Sequence, residues 1–243
     1  MLTPRIFVGD AKPTPCAGEE FPLPPAAARH VAQVLRMRRN DTLALFAGTA
    51  GEYTATIIRI DRHGVVVQVE RFVEVEREAA RPLTLVQATI AADMMDLVVR
   101  KAVELGASAI VPVQAARSQA LAPDRATRRM IHWRRIAIAA CEQCGRNRVP
   151  SVAPVVAWSD WLAGAGDAQA PIAILDHEAA RSLASVAAAS APRTLVIGPE
   201  GGFTHDEMGA ALRCGAIPAH LGPRVLRAET AALAALAIVG APG

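Results

Sequence analysis

The chain has few cysteines, few aromatic side chains and no long apolar run, and each shortage excludes a class of protein. Its 243 residues include only four cysteines, too few for a fold stapled by disulfides. The longest apolar run, residues 231–239, is far shorter than the roughly 20 residues of a membrane helix. The first residues do not form the apolar core of a signal peptide. With 52% hydrophobic residues, we therefore expect a packed cytoplasmic globule.

Two of the cysteines, Cys141 and Cys144, have the spacing of a redox or zinc motif. Zinc requires four ligands, and no second Cys-x-x-Cys or histidine pair lies at a suitable spacing. Small sulfur side chains inside an apolar helical stretch usually serve packing. We therefore predict reduced, structural thiols and no metal site.

The formal net charge is only +3, but the basic residues are clustered. One stretch, residues 117–148, allows two interpretations: a solvated helix face in an arginine-rich chain, or a surface that binds phosphates. Nine dispersed aromatic residues disfavour a platform of stacked bases, so any RNA would be held by charge and shape. The stretch contains Arg117, Arg125, Arg128, Arg129, Arg134, Arg135, Arg146 and Arg148.

The pattern of apolar residues changes near residue 76, which predicts two domains, residues 1–76 and 77–243. The first part predicts a small β-barrel, from strands at residues 5–8, 41–46, 52–60 and 65–70 with one helix at residues 25–37. Ala28, Val31, Val34 and Leu35 would form the apolar face of that helix. From residue 83 onward short apolar strands alternate with helices, which indicates a mostly parallel sheet covered on both faces.

A glycine-rich loop, residues 198–203, follows an apolar strand in this second part, and ligands of parallel sheets bind at the carboxyl ends of strands. Thr204 and Glu207 have the spacing of a capping box that opens the next helix. The loop lacks the Lys-Ser/Thr of a Walker motif, and Glu200 would repel a phosphate while accepting hydrogen bonds from hydroxyl or amino groups. The alternative is a tight turn with Glu200 in solvent.

A second loop, residues 221–230, leads into the last helix. Arg224, Arg227 and Glu229 lie around the start of that helix, a position suited to binding an anion or stabilising a developing negative charge. An ordinary helix N-terminus would also favour Glu229 and Thr230.

Four motifs, GPEGGF, LGPRVLRAETAALAAL, KAVELGASAIVPV and EQCGRNRVP, closely resemble the bacterial 16S ribosomal RNA uridine-N3 methyltransferases of the RsmE type. The resemblance covers nearly the whole chain. It implies an N-terminal PUA-like barrel that helps to hold RNA and a C-terminal SPOUT domain with a trefoil knot. It also implies S-adenosylmethionine as the cofactor, 16S rRNA in the small ribosomal subunit as the substrate, and a homodimer.

The resemblance also implies site residues. One wall of the cofactor pocket would be formed by Gly198, Pro199, Glu200, Gly201 and Gly202, and a second by Leu221, Gly222, Val225, Leu226 and Arg227 to Thr230. Leu175 and Asp176, at the end of a strand, would also reach the cofactor, whereas Glu142, Gln143 and Arg146 would face the substrate.

Methylation of uracil N3 requires removal of an imide proton and stabilisation of negative charge on O2 and O4. We expect Arg227 or Arg146 to stabilise the uracil anion or its phosphate, and Glu229 or Glu142 to take the proton directly or through water. Two alternatives stay open: an RNA-binding or assembly protein without catalysis, and a SPOUT methyltransferase that acts on another RNA.

Overall fold

The computed structural model describes residues 3–9, 15–120, 123–165 and 170–240. The chain forms two compact units. The first contains Met1–Glu78 together with Cys141–Val149, and the second contains Ala79–Ala140 and Pro150–Gly243. The short segment Cys141–Val149 therefore belongs to the N-terminal unit, although the sequence on both sides of it belongs to the other one.

The first unit is built on a five-stranded sheet with the order β1-β3-β4-β5-β2. Among the described strands of this sheet only the β1–β3 pair is parallel, and the hairpin between β4 and β5 turns at Asp61, whose carboxylate accepts the His63 N–H. The predicted strands are confirmed, and one further strand, β2, lies at the sheet edge, where its proline is tolerated. The strands are β1 (Arg5–Phe7), β2 (Glu20–Pro22), β3 (Thr42–Phe46), β4 (Glu52–Asp61) and β5 (Gly64–Val73).

The helix of the first unit differs from the prediction. Helix α1 (Pro25–Arg29) continues as a π-helical turn at His30–Val34, where the Leu35 N–H donates to the His30 carbonyl. The wider turn rotates the following residues away from the core, because five residues separate donor and acceptor instead of four. Val34 is 66% exposed and Leu35 38%, so their assignment to the apolar face was wrong.

The second unit contains a seven-stranded sheet whose strands all pair in parallel, as predicted. Its order is β12-β10-β11-β6-β7-β8, and β9 also pairs with β7. The strands are β6 (Thr84–Ala88), β7 (Ala109–Gln114), β8 (Ser151–Val152), β9 (Val156–Ala157), β10 (Ile172–Leu175), β11 (Thr194–Ile197) and β12 (Ile217–Ala219). The helices are α2 (Ala92–Glu104), α3 (Pro123–Cys144), α4 (Trp158–Ala165), α5 (Leu183–Ser190), α6 (His205–Arg213) and α7 (Ala228–Gly240).

Both faces of this sheet are buried. On one face Val86, Val196 and Ile174 pack with α4 and α6. The alternating neighbours on the other face, Leu85 and Leu195, are fully buried as well, and α7 packs against β11 and β6. The result is a mixed α/β protein, as predicted, while the trefoil knot stays a prediction. Within the described ranges, no helix is both long and apolar enough to cross a membrane.

Candidate functional site

Three neighbouring strands deliver the predicted site residues to one edge of the second sheet. Strands β12, β10 and β11 are adjacent and parallel, so their carboxyl ends lie side by side. Leu175 ends β10, Gly198 follows β11, and Leu221 comes two residues after β12. The Asp176 N–H donates to the Ala219 carbonyl at 3.0 Å, which joins two of these strand ends. These strand ends lie at the edge of the sheet where the rule for parallel sheets places ligands.

The start of α7 lies at the same edge. A Cβ on Gly240, at the far end of α7, would lie 3.8 Å from the Leu83 side chain, which precedes β6. The C-terminal end of α7 is thus at the amino edge of the sheet. Since 13 residues of helix span about 20 Å, the segment Arg227 to Thr230 lies at the opposite, carboxyl edge.

The glycine bend, residues 198–202, is a tight turn. The Gly202 N–H donates to the Pro199 carbonyl at 2.9 Å, and Gly202 adopts φ +68°, which favours glycine. Pro199 is buried, whereas Glu200 is exposed. The predicted capping box is present: Thr204 accepts from the Glu207 N–H and the Glu207 carboxylate accepts from the Thr204 N–H. The bend therefore presents backbone groups and one carboxylate to its surroundings.

An aromatic cluster supports the bend. A Cβ on Gly198 would lie 3.3 Å from the Phe203 ring, so the absence of a side chain permits this close packing. The Phe203 ring lies 4.6 Å from the Trp158 ring, which in turn stacks on Trp161 at 5.2 Å. Trp158 is 5% exposed, so the bend rests on buried aromatic surface.

The second loop is fixed at its beginning and more exposed afterwards. The His220 Nδ1 accepts the Gly222 N–H at 2.9 Å, and Gly222 has φ +108°. Leu221 and Leu226 are half-buried, while Val225 is 76% exposed. A cofactor contact through Val225 therefore needs a ligand that lies over the surface of the loop.

Two charged residues follow at the start of α7. Arg227 is exposed, and its carbonyl accepts the Ala231 N–H, so it stands at the beginning of the helix. Glu229 is half-buried in the first turn. A cation and a carboxylate are thus presented from one short segment, an arrangement that can stabilise an anion and accept a proton.

Glu142 and Arg146 lie in the first unit, inside a hydrogen-bonded network. The Glu142 carboxylate accepts the Phe7 N–H at 3.1 Å; burial raises the pKa of Glu142, and this hydrogen bond opposes the rise. Arg146 is 4% exposed, and its Nε donates to Glu78 at 2.8 Å. Arg5 donates to the Arg146 carbonyl at 3.1 Å and to the Asn147 side chain at 2.6 Å. These contacts tie Cys141–Val149 to the first sheet.

One thiol of the cysteine pair, that of Cys141, is buried and unreactive. Burial raises the pKa of Cys141 to about 12, so at neutral pH it is protonated and a poor nucleophile. In the part of the chain that the structure describes, no three His, Cys, Asp or Glu side chains are grouped as metal ligands.

Arginines of α3 follow one stripe of the helix. Arg125, Arg128, Arg129 and His132 border a common surface hollow, and His132 also contacts the Asp96 carboxylate at 2.8 Å. Their spacing of three and four residues places them on the same helix face, so the three arginines present a concentrated positive charge.

Two contacts of the turn after β7 were not predicted, one with the glycine bend and one with the first turn of α6. The Arg117 Nη1 donates to the Gly201 carbonyl at 2.8 Å, and the Glu207 carboxylate accepts the Ala116 N–H at 2.7 Å. The partners are 84 and 91 residues apart, so no local spacing reveals them. The parallel order of the sheet is the signal that brings the end of β7 near the end of β11.

Comparison with known proteins gives consistent results. A model for an RNA methyltransferase domain matches residues 77–240, and a model for an RNA methyltransferase PUA domain matches residues 23–70. "Ribosomal RNA small subunit methyltransferase E" of Mycobacterium tuberculosis is 34% identical over 87% of this chain and 82% of the relative. The Bacillus subtilis protein of that name is 28% identical over 97% and 95%.

Solved structures agree along the whole chain. A putative methyltransferase from Legionella pneumophila, in complex with the bound cofactor SAM, superposes with a TM-score of 0.90 at 34% identity, covering 98% of this chain and 97% of the other. A ribosomal RNA small subunit methyltransferase E from Neisseria gonorrhoeae, bound to S-adenosyl methionine, gives 0.87 at 33% identity, with 97% and 96% covered.

Proposed function

Because the chain belongs to the ribosomal RNA small subunit methyltransferase E family, we propose that it transfers a methyl group from S-adenosylmethionine to N3 of a uridine in 16S rRNA. One observation carries the proposal: the glycine bend after β11, the loop after β12 and the start of α7 all lie at the carboxyl edge of adjacent parallel strands. The bound cofactor in two similar structures supports the choice of methyl donor.

The residues at this edge fit S-adenosylmethionine, which supplies a methyl group on a positively charged sulfur. The glycines let the backbone approach a flat base closely, and half-buried Leu175, Leu221 and Leu226 offer apolar surface. The exposed Glu200 carboxylate accepts hydrogen bonds from hydroxyl or amino groups and favours a nearby positive charge. The cofactor would be held by Gly198 to Gly202, Leu221, Gly222, Val225, Leu226, Arg227 and Thr230.

For the chemical step we assign Arg227 and Glu229. The exposed Arg227 guanidinium would stabilise the charge that develops on O2 or O4 of the uracil. The Glu229 carboxylate would take the N3 proton directly or through water. Glu142 and Arg146 are second choices, because the first is hydrogen-bonded to Phe7 and the second is paired with Glu78.

The remaining parts of the proposal concern partners. The arginine stripe of α3 would bind rRNA phosphates, and the N-terminal unit, which matches a PUA domain, would add a second contact. We propose a homodimer, following the family resemblance, and a cytoplasmic location, where ribosomal subunits are assembled. Light scattering of the purified protein tests the dimer, and a monomer mass would reject it.

Methyl transfer to small ribosomal subunits that lack the modification tests the function. We expect one methyl group per 16S rRNA, mapped to uridine N3 by mass spectrometry of RNA digests. Methylation of a different atom or RNA would indicate another SPOUT activity, and rRNA binding without S-adenosylmethionine binding would indicate an assembly protein.

Matched variants test the assigned base. Glu229→Gln should slow methyl transfer by about a hundredfold or more, the usual contribution of a positioned base. Glu142→Gln, which keeps an oxygen acceptor for the Phe7 N–H, should retain the wild-type rate. The reverse result would assign the proton transfer to Glu142, and unchanged rates in both would remove general-base catalysis by either carboxylate.

A further inference from the structure

We infer that Arg117 and Glu207 are positioning residues that hold the glycine bend in the shape that binds the cofactor; this inference rests on the proposed function. The bend itself has little intrinsic rigidity. It contains Gly198, Gly201 and Gly202, and glycine loses more conformational freedom on ordering than any other residue. Contacts from outside therefore add to the Gly202–Pro199 hydrogen bond and the Phe203 packing in fixing its shape before a ligand arrives.

The outside contacts come from the turn after β7, residues 115–119. Its Arg117 donates from Nη1 to the Gly201 carbonyl at 2.8 Å. A Cβ on Gly201 would lie 3.3 Å from the Arg117 Cβ and Cδ, so the aliphatic part of the arginine also packs on the bend. One side chain thus supplies both a charge-assisted hydrogen bond and a packing surface to the same glycine.

Glu207 makes the second link. One carboxylate oxygen accepts the Ala116 N–H at 2.7 Å, and the other accepts the Thr204 N–H at 2.8 Å. This carboxylate therefore joins the end of the bend, the start of α6 and the turn after β7. The capping box itself uses only one of these two oxygens, so the contact with Ala116 is additional to it.

The turn that provides these contacts is itself anchored. The Ala115 N–H donates to the Ser118 hydroxyl at 3.0 Å, which closes the turn. The Gln119 N–H donates to the Thr89 carbonyl at 3.0 Å, and the Thr89 hydroxyl donates to the Gln119 carbonyl at 2.9 Å. Since Thr89 directly follows β6, the turn is fixed to the sheet and transmits that rigidity to the bend.

The expected consequence is a loss of preorganisation. Without its anchors the bend samples other conformations, and the cofactor must order it on binding, which weakens affinity. Arg117 therefore acts on the cofactor site, whereas the charge pattern alone placed it in a stretch that is either a solvated helix face or a phosphate-binding surface. Lysine keeps the positive charge and a donor for the Gly201 carbonyl but lacks the planar guanidinium, so it should restore only part of the effect.

Hydrogen exchange and calorimetry test the inference on the full-length protein. In the ligand-free state, Arg117→Ala and Glu207→Gln should each speed amide exchange of residues 198–204. Titration with S-adenosylmethionine should show a Kd raised by about threefold to tenfold, as for the loss of one charge-assisted hydrogen bond at a partly exposed site. Arg117→Lys should fall between Arg117→Ala and the wild type.

Two controls separate positioning from general stability. Thr204→Ala removes the hydroxyl half of the capping box but leaves the Glu207 carboxylate on Ala116, so its Kd should rise less than that of Glu207→Gln. Arg193→Ala removes an exposed arginine just before β11, at the opposite end of the strand, and should leave both exchange and Kd unchanged.

The outcomes are distinct. If amide exchange in the bend is unchanged in both Arg117→Ala and Glu207→Gln, the inference is overturned, whatever their affinity for S-adenosylmethionine. An unchanged or lower Kd alongside faster exchange would overturn the link to cofactor binding. If the wild-type protein does not bind S-adenosylmethionine, the proposed function fails, while the exchange measurement still decides whether these residues hold the bend.

Discussion

Replacing Arg146 tests whether this buried arginine is structural. Its side chain is 5% exposed and that of its partner Glu78 is 16% exposed. Arg146→Ala would leave the Glu78 carboxylate mostly buried and unpaired. Breaking a buried pair costs about 3–5 kcal/mol, and because Glu78 keeps some contact with water we expect the lower end, about 3 kcal/mol.

The assay must report on the first unit alone. All three tryptophans, Trp133, Trp158 and Trp161, lie in the second unit, so tryptophan fluorescence would not detect the loss. Native-state hydrogen exchange of β1 and β4 measures the opening free energy of the first sheet directly. A loss of about 3 kcal/mol should accelerate exchange through global opening by roughly a hundredfold.

A double variant serves as the control. Arg146→Met combined with Glu78→Leu removes both charges and should recover a large part of the lost stability, because apolar replacements of buried pairs are often tolerated. Unchanged protection in Arg146→Ala would refute the structural role. Loss of methyl transfer at unchanged stability would instead place the Arg146 guanidinium on the substrate.

Three further predictions concern other parts of the molecule. Burial raises the pKa of Glu142 above 4.5, so Glu142→Gln should raise Tm at pH values above the folded-state pKa. The difference in Tm between variant and wild type should vanish below pH 4.5, where the wild-type carboxyl is protonated too. A Tm difference that persists in acid would contradict this. Trp133→Phe removes the hydrogen bond to Asp96 and should cost about 1–2 kcal/mol in urea unfolding; an unchanged midpoint would show that this bond contributes nothing. The double variant Arg128→Ala with Arg129→Ala should make the fall of log affinity for rRNA with log salt concentration shallower, by up to about two in slope. An unchanged slope would show that α3 does not contact the RNA.

The second unit was largely predictable from its sequence, because its signals are local. Short apolar strands that alternate with helices dictated parallel pairing, and the capping box at Thr204 and Glu207 marked the start of α6. Helix α5 does not follow β10 directly but begins at Leu183, because the Asp176 carboxylate accepts the Glu178 N–H and holds a turn first.

The contacts of the candidate site were harder to predict. The positions of the two loops followed from the rule for parallel sheets, and the residue types of Arg227 and Glu229 suggested charge stabilisation and proton transfer. The contacts of Arg117 and Glu207 depend on the order of the strands in the sheet. Because β6 lies between β7 and β11, the turn after β7 lies near the bend after β11. Charge patterning along the chain contains no information on that order.

The network of the first unit was missed for the same reason. Arg5 contacts Asn147, 142 residues away, and Arg146 contacts Glu78 across 68. The π-helical turn after α1 could not be predicted from periodicity either, because that analysis assumes 3.6 residues per turn. It therefore placed Val34 on the apolar face of the helix.

The discontinuity of the first unit has a consequence for biosynthesis. A ribosome makes the five strands of its sheet early, but Arg146, which pairs with Glu78, and Asn147, which accepts a hydrogen bond from Arg5, emerge only after α2 and α3 have been translated. The N-terminal unit therefore reaches its final stability late, when about 149 residues have left the exit tunnel. A truncated product ending at residue 78 would lack these partners, so we expect its stability in isolation to rise when the Cys141–Val149 peptide is supplied as well.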